Sequence, residues 1–270
     1  MTDYATTNPS ARPLAVVTGA SSGIGYELAK QFAKNGFDLL VTSTGERIDT
    51  VAAAFEQLGA TVTTVQADLA NYEGVESLYQ QIQASGKPVE AIAINAGVGV
   101  GGPFIETDLQ AELNVIELNI ASSVHLAKRV VPDMVARHQG RILFTSSIVS
   151  QMPGPFQAVY AASKSFVHSF SQALRNELKD SGVTVTALMP GATDTNFFDR
   201  AGLEDAKVNK APKDDPAEVA RMGFEALMDG KDSILAESLL TKVAGTVSKI
   251  LPDPLKAELH RKISEPGADK

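Results

Sequence analysis

The chain has 270 residues, 44% of them apolar and 21% charged, a formal net charge of −8 and no cysteine. This length and balance suit a globular protein with a sizeable core and exclude disordered and fibrous classes. The missing cysteines exclude disulfides, thiolate metal sites and cysteine nucleophiles, and the acidic balance opposes nucleic acid and anionic membranes as partners. A reducing, cytoplasmic setting is expected. Residues 1–13 hold an aspartate, two prolines and no apolar stretch of signal-peptide length, so they are expected to form a loose tail ahead of a single domain spanning 14–270.

Leu14 to Thr18 is a short, continuously apolar and β-branched run, followed by a glycine-rich turn and a helical pattern from about Ile24. The same alternation predicts strands at Phe37–Thr42, Thr61–Gln66, Ala91–Asn95, Arg141–Thr145 and Val183–Leu188, with a last short one near Ser233–Ala236 and then helix. Strands that are apolar throughout and separated by helices predict a doubly wound, Rossmann-type α/β fold. Its seven-stranded parallel sheet would carry helices on both faces and a ligand crevice at the strands' carboxyl ends. The stretch from Asp194 to Pro216 is charged, holds Pro212 and Pro216 and has no periodicity, which marks a substrate lid.

In Thr18-Gly19-Ala20-Ser21-Ser22-Gly23-Ile24-Gly25 the glycines permit close backbone approach, and helix-start amides attract phosphate. The spacing is G-x-x-x-G-x-G rather than G-x-G-x-x-G. The same residues satisfy G-x-S-x-G, a hydrolase elbow with Ser21 as nucleophile, although only a short polar tail precedes this strand where that fold places several strands. Further on, Tyr160 and Lys164 stand at i,i+4 on a helix expected over Gln157–Lys179, so the phenol and ammonium share one face. A cation about 4 Å from the phenol at an effective dielectric of about 20 contributes about 4 kcal/mol, roughly three pKa units downward. Ser146 and Ser147 end the fifth strand at the crevice edge, available to a substrate carbonyl or to turn-making. The four histidines have no metal-ligand spacing, and no metal is assigned.

Taken together, TGASSGIG at 18–25, NAG at 95–97, Asn119, Ser147, YxxxK at 160–164 and PGxxxT at 190–195 resemble the short-chain dehydrogenase/reductase family, over Leu14 to about Phe198. The resemblance implies that Tyr160 is the general acid in reduction and the base in oxidation, with Lys164 lowering its pKa and holding the nicotinamide ribose. It implies that Ser147, thirteen residues before the tyrosine, polarises the carbonyl and that Asn119 fixes a relay water. For the cofactor it implies Gly19, Ser21, Ser22, Gly23, Ile24 and Gly25 at the pyrophosphate, Asp68 and Leu69 at the adenine, and Asn95, Ala96 and Gly97 along the adenosine. Pro190, Gly191, Thr193 and Thr195 would meet the nicotinamide end. Ile94 stands where the family usually has the first asparagine of NNAG.

No acid ends the second strand at Ser43 or Thr44, and Arg47 follows, which favours NADP(H) while leaving NAD(H) open; a solvated helix charge is the other reading of Arg47. The family also implies a homodimer or homotetramer. Three functions follow: an oxidoreductase acting on an unidentified carbonyl or alcohol, a dinucleotide-sensing protein without turnover, and a serine hydrolase using Ser21.

Overall fold

The computed structural model describes residues 12–210, 212–236 and 251–265. Seven parallel strands form one sheet in the order β3-β2-β1-β4-β5-β6-β7. They are β1 Leu14–Thr18, β2 Asp38–Ser43, β3 Val62–Gln66, β4 Val89–Ile94, β5 Gly140–Thr145, β6 Val183–Pro190 and β7 Ser233–Ala236. All seven expected strands are present, with ends differing by up to two residues, and the last matches in full.

Alternation along each strand explains the two-faced core. Ala15 and Val17 of β1 point to one face and join Leu143 of β5, whereas Leu14 and Val16 join Ile142 and Phe144 on the other. The first face is covered by α1 (Gly23–Lys34), α2 (Arg47–Glu56) and α9 (Pro216–Met228), whose Phe32, Phe55 and Phe224 are buried there. The second is covered by α3 (Tyr72–Ala84), α5 (Ser122–Ala136) and α6 (Ala158–Glu177), through residues such as Leu78, Leu126 and Val167. An eight-residue helix, α4 (Leu109–Ile116), runs into α5 through a π-helical turn at Glu117–Ala121.

Strand order reverses between β1 and β4, and a crevice opens at such a switch point. Its walls are tied by one asparagine. Asn95 Nδ2 donates to the Thr18 carbonyl at 3.0 Å, and Asn95 Oδ1 accepts from Thr145 Oγ1 at 3.1 Å. The amides of Asn95 and Ala96 both donate to Thr18 Oγ1 at 2.9 Å. The carboxyl ends of β1, β4 and β5 are thereby locked together.

The segment expected as an aperiodic lid is partly ordered into two short helices, α7 (Phe197–Arg200) and α8 (Lys207–Lys210). Its charges had masked a small apolar cluster of Phe198, Ala201, Leu203 and Ala206. A bridge between Thr193 and Asp214 pins its two ends together. Most of the expected N-terminal tail lies outside the described residues. Within it, Arg12 is anchored, donating to the carbonyls of Ala33 and Phe37 at 2.9 and 3.2 Å. Of the region after β7, residues 251–265 are described, and they form α10 (Asp253–Ser264).

Candidate active site

A cleft of about 810 Å³ lies at the carboxyl ends of β1, β4, β5 and β6. Its volume falls in the range of small-molecule and cofactor sites. Of the predicted positions, Gly19, Ser21, Ser22, Gly23, Ile24, Gly25, Ser43, Thr44, Asp68, Leu69, Asn95, Ala96 and Gly97 line it, with Ser147, Tyr160, Lys164, Pro190, Gly191, Thr193 and Thr195. Arg47 and Asn119 do not.

The glycine turn is shaped by contacts that a side chain would break. A Cβ on Gly25 would stand 2.2 Å from the Gly19 carbonyl oxygen and 2.5 Å from Asn95 Nδ2, so helix α1 can enter this close only as glycine. Gly19 and Gly23 have φ of 69° and 56°, in the left-handed region. At the start of α1, Ser22 makes no side-chain cap bond and the first turn holds no acid, whereas Asn71, Asp108 and Asp215 cap α3, α4 and α9. The first-turn amides of α1 thus keep their donors and the positive end of the helix dipole for an anion in the cleft.

Ser147, Tyr160 and Lys164 meet on the opposite wall. Ser147 leaves β5 and accepts from the Val149 amide at 3.4 Å, while Ser146 turns inward and donates to the Lys164 carbonyl at 2.8 Å. Both serines line the cleft, and of the two it is Ser147 that reaches the Tyr160 hydroxyl. Lys164 Nζ lies 5.8 Å from the centroid of the Tyr160 ring and donates to the Thr145 carbonyl at 2.9 Å.

The electrostatics correct the expectation from sequence. Burial pushes the Tyr160 phenol up to about 12, with a hydrogen bond to Ser147 pulling the other way, and burial brings Lys164 down to about 8. The i,i+4 argument took a cation about 4 Å from the phenol at an effective dielectric of about 20. Here both groups are buried, and loss of hydration is the largest cause of both shifts.

Asn119 sits in the π-helical turn behind the lysine rather than in a regular helix. Its side chain is taken up by protein partners: Oδ1 accepts from Val98 N at 3.0 Å, and Nδ2 donates to the Val98 carbonyl and Ser163 Oγ, both at 2.9 Å. It ties the loop after β4 to α6. A Cβ on Gly97 would lie 3.1 Å from both Asn119 Oδ1 and Lys164 Nζ, so this glycine lets the two pack side by side.

Asp68 is exposed at the cleft rim, with Oδ1 accepting from Ala70 N at 3.0 Å. Ser43 Oγ donates to the Gly45 carbonyl at 3.2 Å. Thr193 Oγ1 donates to the Gly191 carbonyl at 3.1 Å, and Thr195 Oγ1 accepts from Phe197 N at 3.3 Å. Arg47 is exposed in a second hollow of about 350 Å³ that shares Ser21, Ser22, Gly23 and Thr195 with the main cleft. It therefore stands beside the turn, one residue shell out from the cleft wall.

Sequence reasoning missed two contributors. Phe197 stacks obliquely on Tyr160 with ring centroids 5.0 Å apart, in space left by Gly99. Helix α10 supplies Lys256, Leu259, His260, Ile263 and Ser264 to the cleft wall. The 4-residue spacing of Leu255, Leu259 and Ile263 signalled a helix, but nothing local signalled where it docks.

A family model described as short chain dehydrogenase matches residues 13–205. Retinol dehydrogenase 8 of Bos taurus is 34% identical over 206 residues, which is 74% of this chain and 65% of that one, so the chain spans under two thirds of this relative's length. A short-chain dehydrogenase from Sphingobium yanoikuyae, solved in complex with NADPH, superposes with a TM-score of 0.78 at 27% identity, covering 89% of this chain and 96% of that one. A short chain dehydrogenase/reductase from Burkholderia phymatum, in complex with NAD, gives 0.80 at 24% identity over 94% and 97%, a likeness of fold. With the family model matching well over half of its length, this chain belongs to the short-chain dehydrogenase/reductase family.

Proposed function

We propose that the protein transfers hydride between a nicotinamide dinucleotide, NADP(H) in preference to NAD(H), and a carbonyl or alcohol substrate at Ser147, Tyr160 and Lys164. The observation that carries this reading is that these three side chains and the uncapped start of α1 face one cleft. Membership of an oxidoreductase family weighs against reading Gly19–Gly23 as a hydrolase elbow, and retention of the tyrosine and lysine weighs against a sensor without turnover.

The cleft suits the cofactor. The amides of Gly19, Ser21, Ser22, Gly23, Ile24 and Gly25 would hold its pyrophosphate, Asp68 and Leu69 the adenine, and Asn95, Ala96 and Gly97 the adenosine. Pro190, Gly191, Thr193 and Thr195 would hold the nicotinamide end. When bound, the nicotinamide supplies hydride in reduction and accepts it in oxidation. Ser147 donates a hydrogen bond to the carbonyl oxygen, Tyr160 gives that oxygen its proton, and Lys164 supplies positive charge beside the phenol. A phenol at about 12 stays protonated at neutral pH, as an acid for reduction must, and a lysine at about 8 keeps its charge there. The lid at 194–216 would close over the substrate. A cysteine-free chain fits the cytoplasm.

The cofactor preference rests on the second hollow, where Arg47 and Ser22 stand beside the turn with no acid at Ser43 or Thr44. A ribose 2′-phosphate there would meet the Arg47 guanidinium, in a hollow that Glu27, paired with Lys30 at 2.8 Å, and Asp194 also line. Self-association is the remaining part of the reading. Leu109, Leu113 and Ile116 form an exposed stripe along α4, which packs on α6 beside the exposed Phe166. Apolar residues at this spacing suit a second copy of the chain.

Four outcomes are expected. Tyr160→Phe binds NADPH with unchanged affinity by nicotinamide fluorescence but turns over carbonyl substrates about 10² to 10⁴-fold more slowly. In the unsubstituted protein, kcat/KM for reduction stays level below pH 8 and falls above it as Lys164 loses its proton; full activity in the variant would refute the acid assignment. Arg47→Ala weakens NADPH about tenfold while leaving NADH unchanged, and an unaltered ratio of the two affinities would make Arg47 a solvated charge. Leu113→Glu sediments as a monomer where the unsubstituted chain sediments as a dimer or tetramer; identical sedimentation would remove α4 from the interface.

A further inference from the structure

Helix α10 brings two polar side chains into the cleft wall with hydrogen-bonding atoms that none of the described residues satisfies. His260 is 2% exposed and Ser264 is 1% exposed, and both line the cleft. His260 Nδ1 and Ser264 Oγ are buried without a partner. Buried polar atoms are nearly always paired, and these two lie one helical turn apart on the same face.

The state of His260 follows from its surroundings. Burial lowers its pKa against the opposing pull of a backbone hydrogen bond with Pro155, so the ring is neutral at neutral pH. Proline has no N–H, so the imidazole donates to the Pro155 carbonyl. Because Nδ1 has no partner, the donor is Nε2–H, which leaves Nδ1 as a bare acceptor. The helix is held against the same loop by Arg261, whose guanidinium lies 5.2 Å from the centroid of the Phe156 ring. The same cleft is lined by the apolar side chains of Met152, Phe197, Phe198, Val208, Leu259 and Ile263, with Gln157, Arg200 and Lys256 among the polar ones.

We propose that His260 and Ser264 bind a second hydroxyl of the substrate, distinct from the reacting oxygen, so that the substrate is an apolar ketone or secondary alcohol carrying another hydroxyl. This rests on the hydride-transfer reading above. A hydroxyl both donates and accepts, so one such group gives its proton to Nδ1 and takes the Ser264 hydroxyl proton, satisfying both atoms together. A carboxylate has no proton to give Nδ1. Of the cations lining the cleft besides Lys164, Lys256 is paired with Asp253 at 3.2 Å and Arg200 donates to the Asn196 carbonyl at 3.2 Å. The pair therefore selects a neutral hydroxyl rather than an acid.

The test uses hydroxyphenyl alkyl ketones and their deoxy counterparts, with one to four methylenes between ring and carbonyl, assayed by NADPH oxidation. Binding of each probe to NADP⁺-loaded protein is measured in parallel by calorimetry. A site built to bond a hydroxyl rejects the analogue that lacks it, so at least one hydroxylated member is preferred by about tenfold or more in both readouts. Ser264→Ala and His260→Leu reduce that ratio to about one, whereas His260→Asn, which keeps an acceptor where Nδ1 stands, preserves it. Should His260→Leu fail to fold, the Ser264→Ala and His260→Asn arms decide alone. Equal treatment of every pair, as when a water serves both atoms, overturns the assignment. So does a ratio that survives Ser264→Ala and His260→Leu, or turnover of no pair by protein that binds NADPH. Failure to bind NADPH at all overturns the hydride-transfer reading instead, and this assignment with it.

Discussion

The polar clamp at Asn95 is the constraint on which the rest of the site depends. Parallel strands are fixed laterally by their ladders, but the ends where ligands bind have no further ladder to hold them. Asn95 supplies it, bonding to Thr18 at the end of β1 and to Thr145 at the end of β5. The missing Cβ of Gly25 lets α1 come down onto the same amide, so the turn and the clamp are one packed unit. Ser147 follows Thr145 by two residues, and Lys164 donates to the Thr145 carbonyl, so the opposite wall hangs from the same point.

Burial sets the chemistry of that wall. A tyrosine near 12 and a lysine near 8 are both displaced toward their neutral forms, and for carbonyl reduction this is a workable starting state. In the proposed reading the phenol arrives with its proton, and Ser147 and Lys164 would steer where that proton goes. Alcohol oxidation, which would need the phenolate, is less well served by the same burial. On that reading the walls would divide the work, one offering backbone donors to an anion and the other a proton to an oxygen.

Much of this was legible in the sequence because the elements are local. Each strand is a short β-branched run bounded by turn residues, and the glycine turn and the Tyr160–Lys164 spacing are confined to one element junction or one helix. What escaped notice depends on how distant parts meet. The upward shift of the Tyr160 pKa went against expectation because spacing gives proximity but not burial. Asn119 was legible as a residue, but its bonds to Val98 and Ser163 and its π-helical turn belong to the packing of three segments. The apolar cluster under the lid was hidden by surface charges, and α10 lies far along the chain from the motifs it adjoins.

Thermal unfolding of Asn95→Ala, with and without NADPH, tests most directly whether this clamp organises the site. Losing the bonds to Thr18 and Thr145 leaves partners unpaired in a buried setting and costs about 2–3 kcal/mol. A protein of this size should then unfold several degrees lower, by roughly 2–4 °C per kcal/mol. The account predicts that lower midpoint together with a diminished upward shift on adding NADPH. A midpoint and an NADPH shift both equal to those of the unsubstituted protein would contradict it.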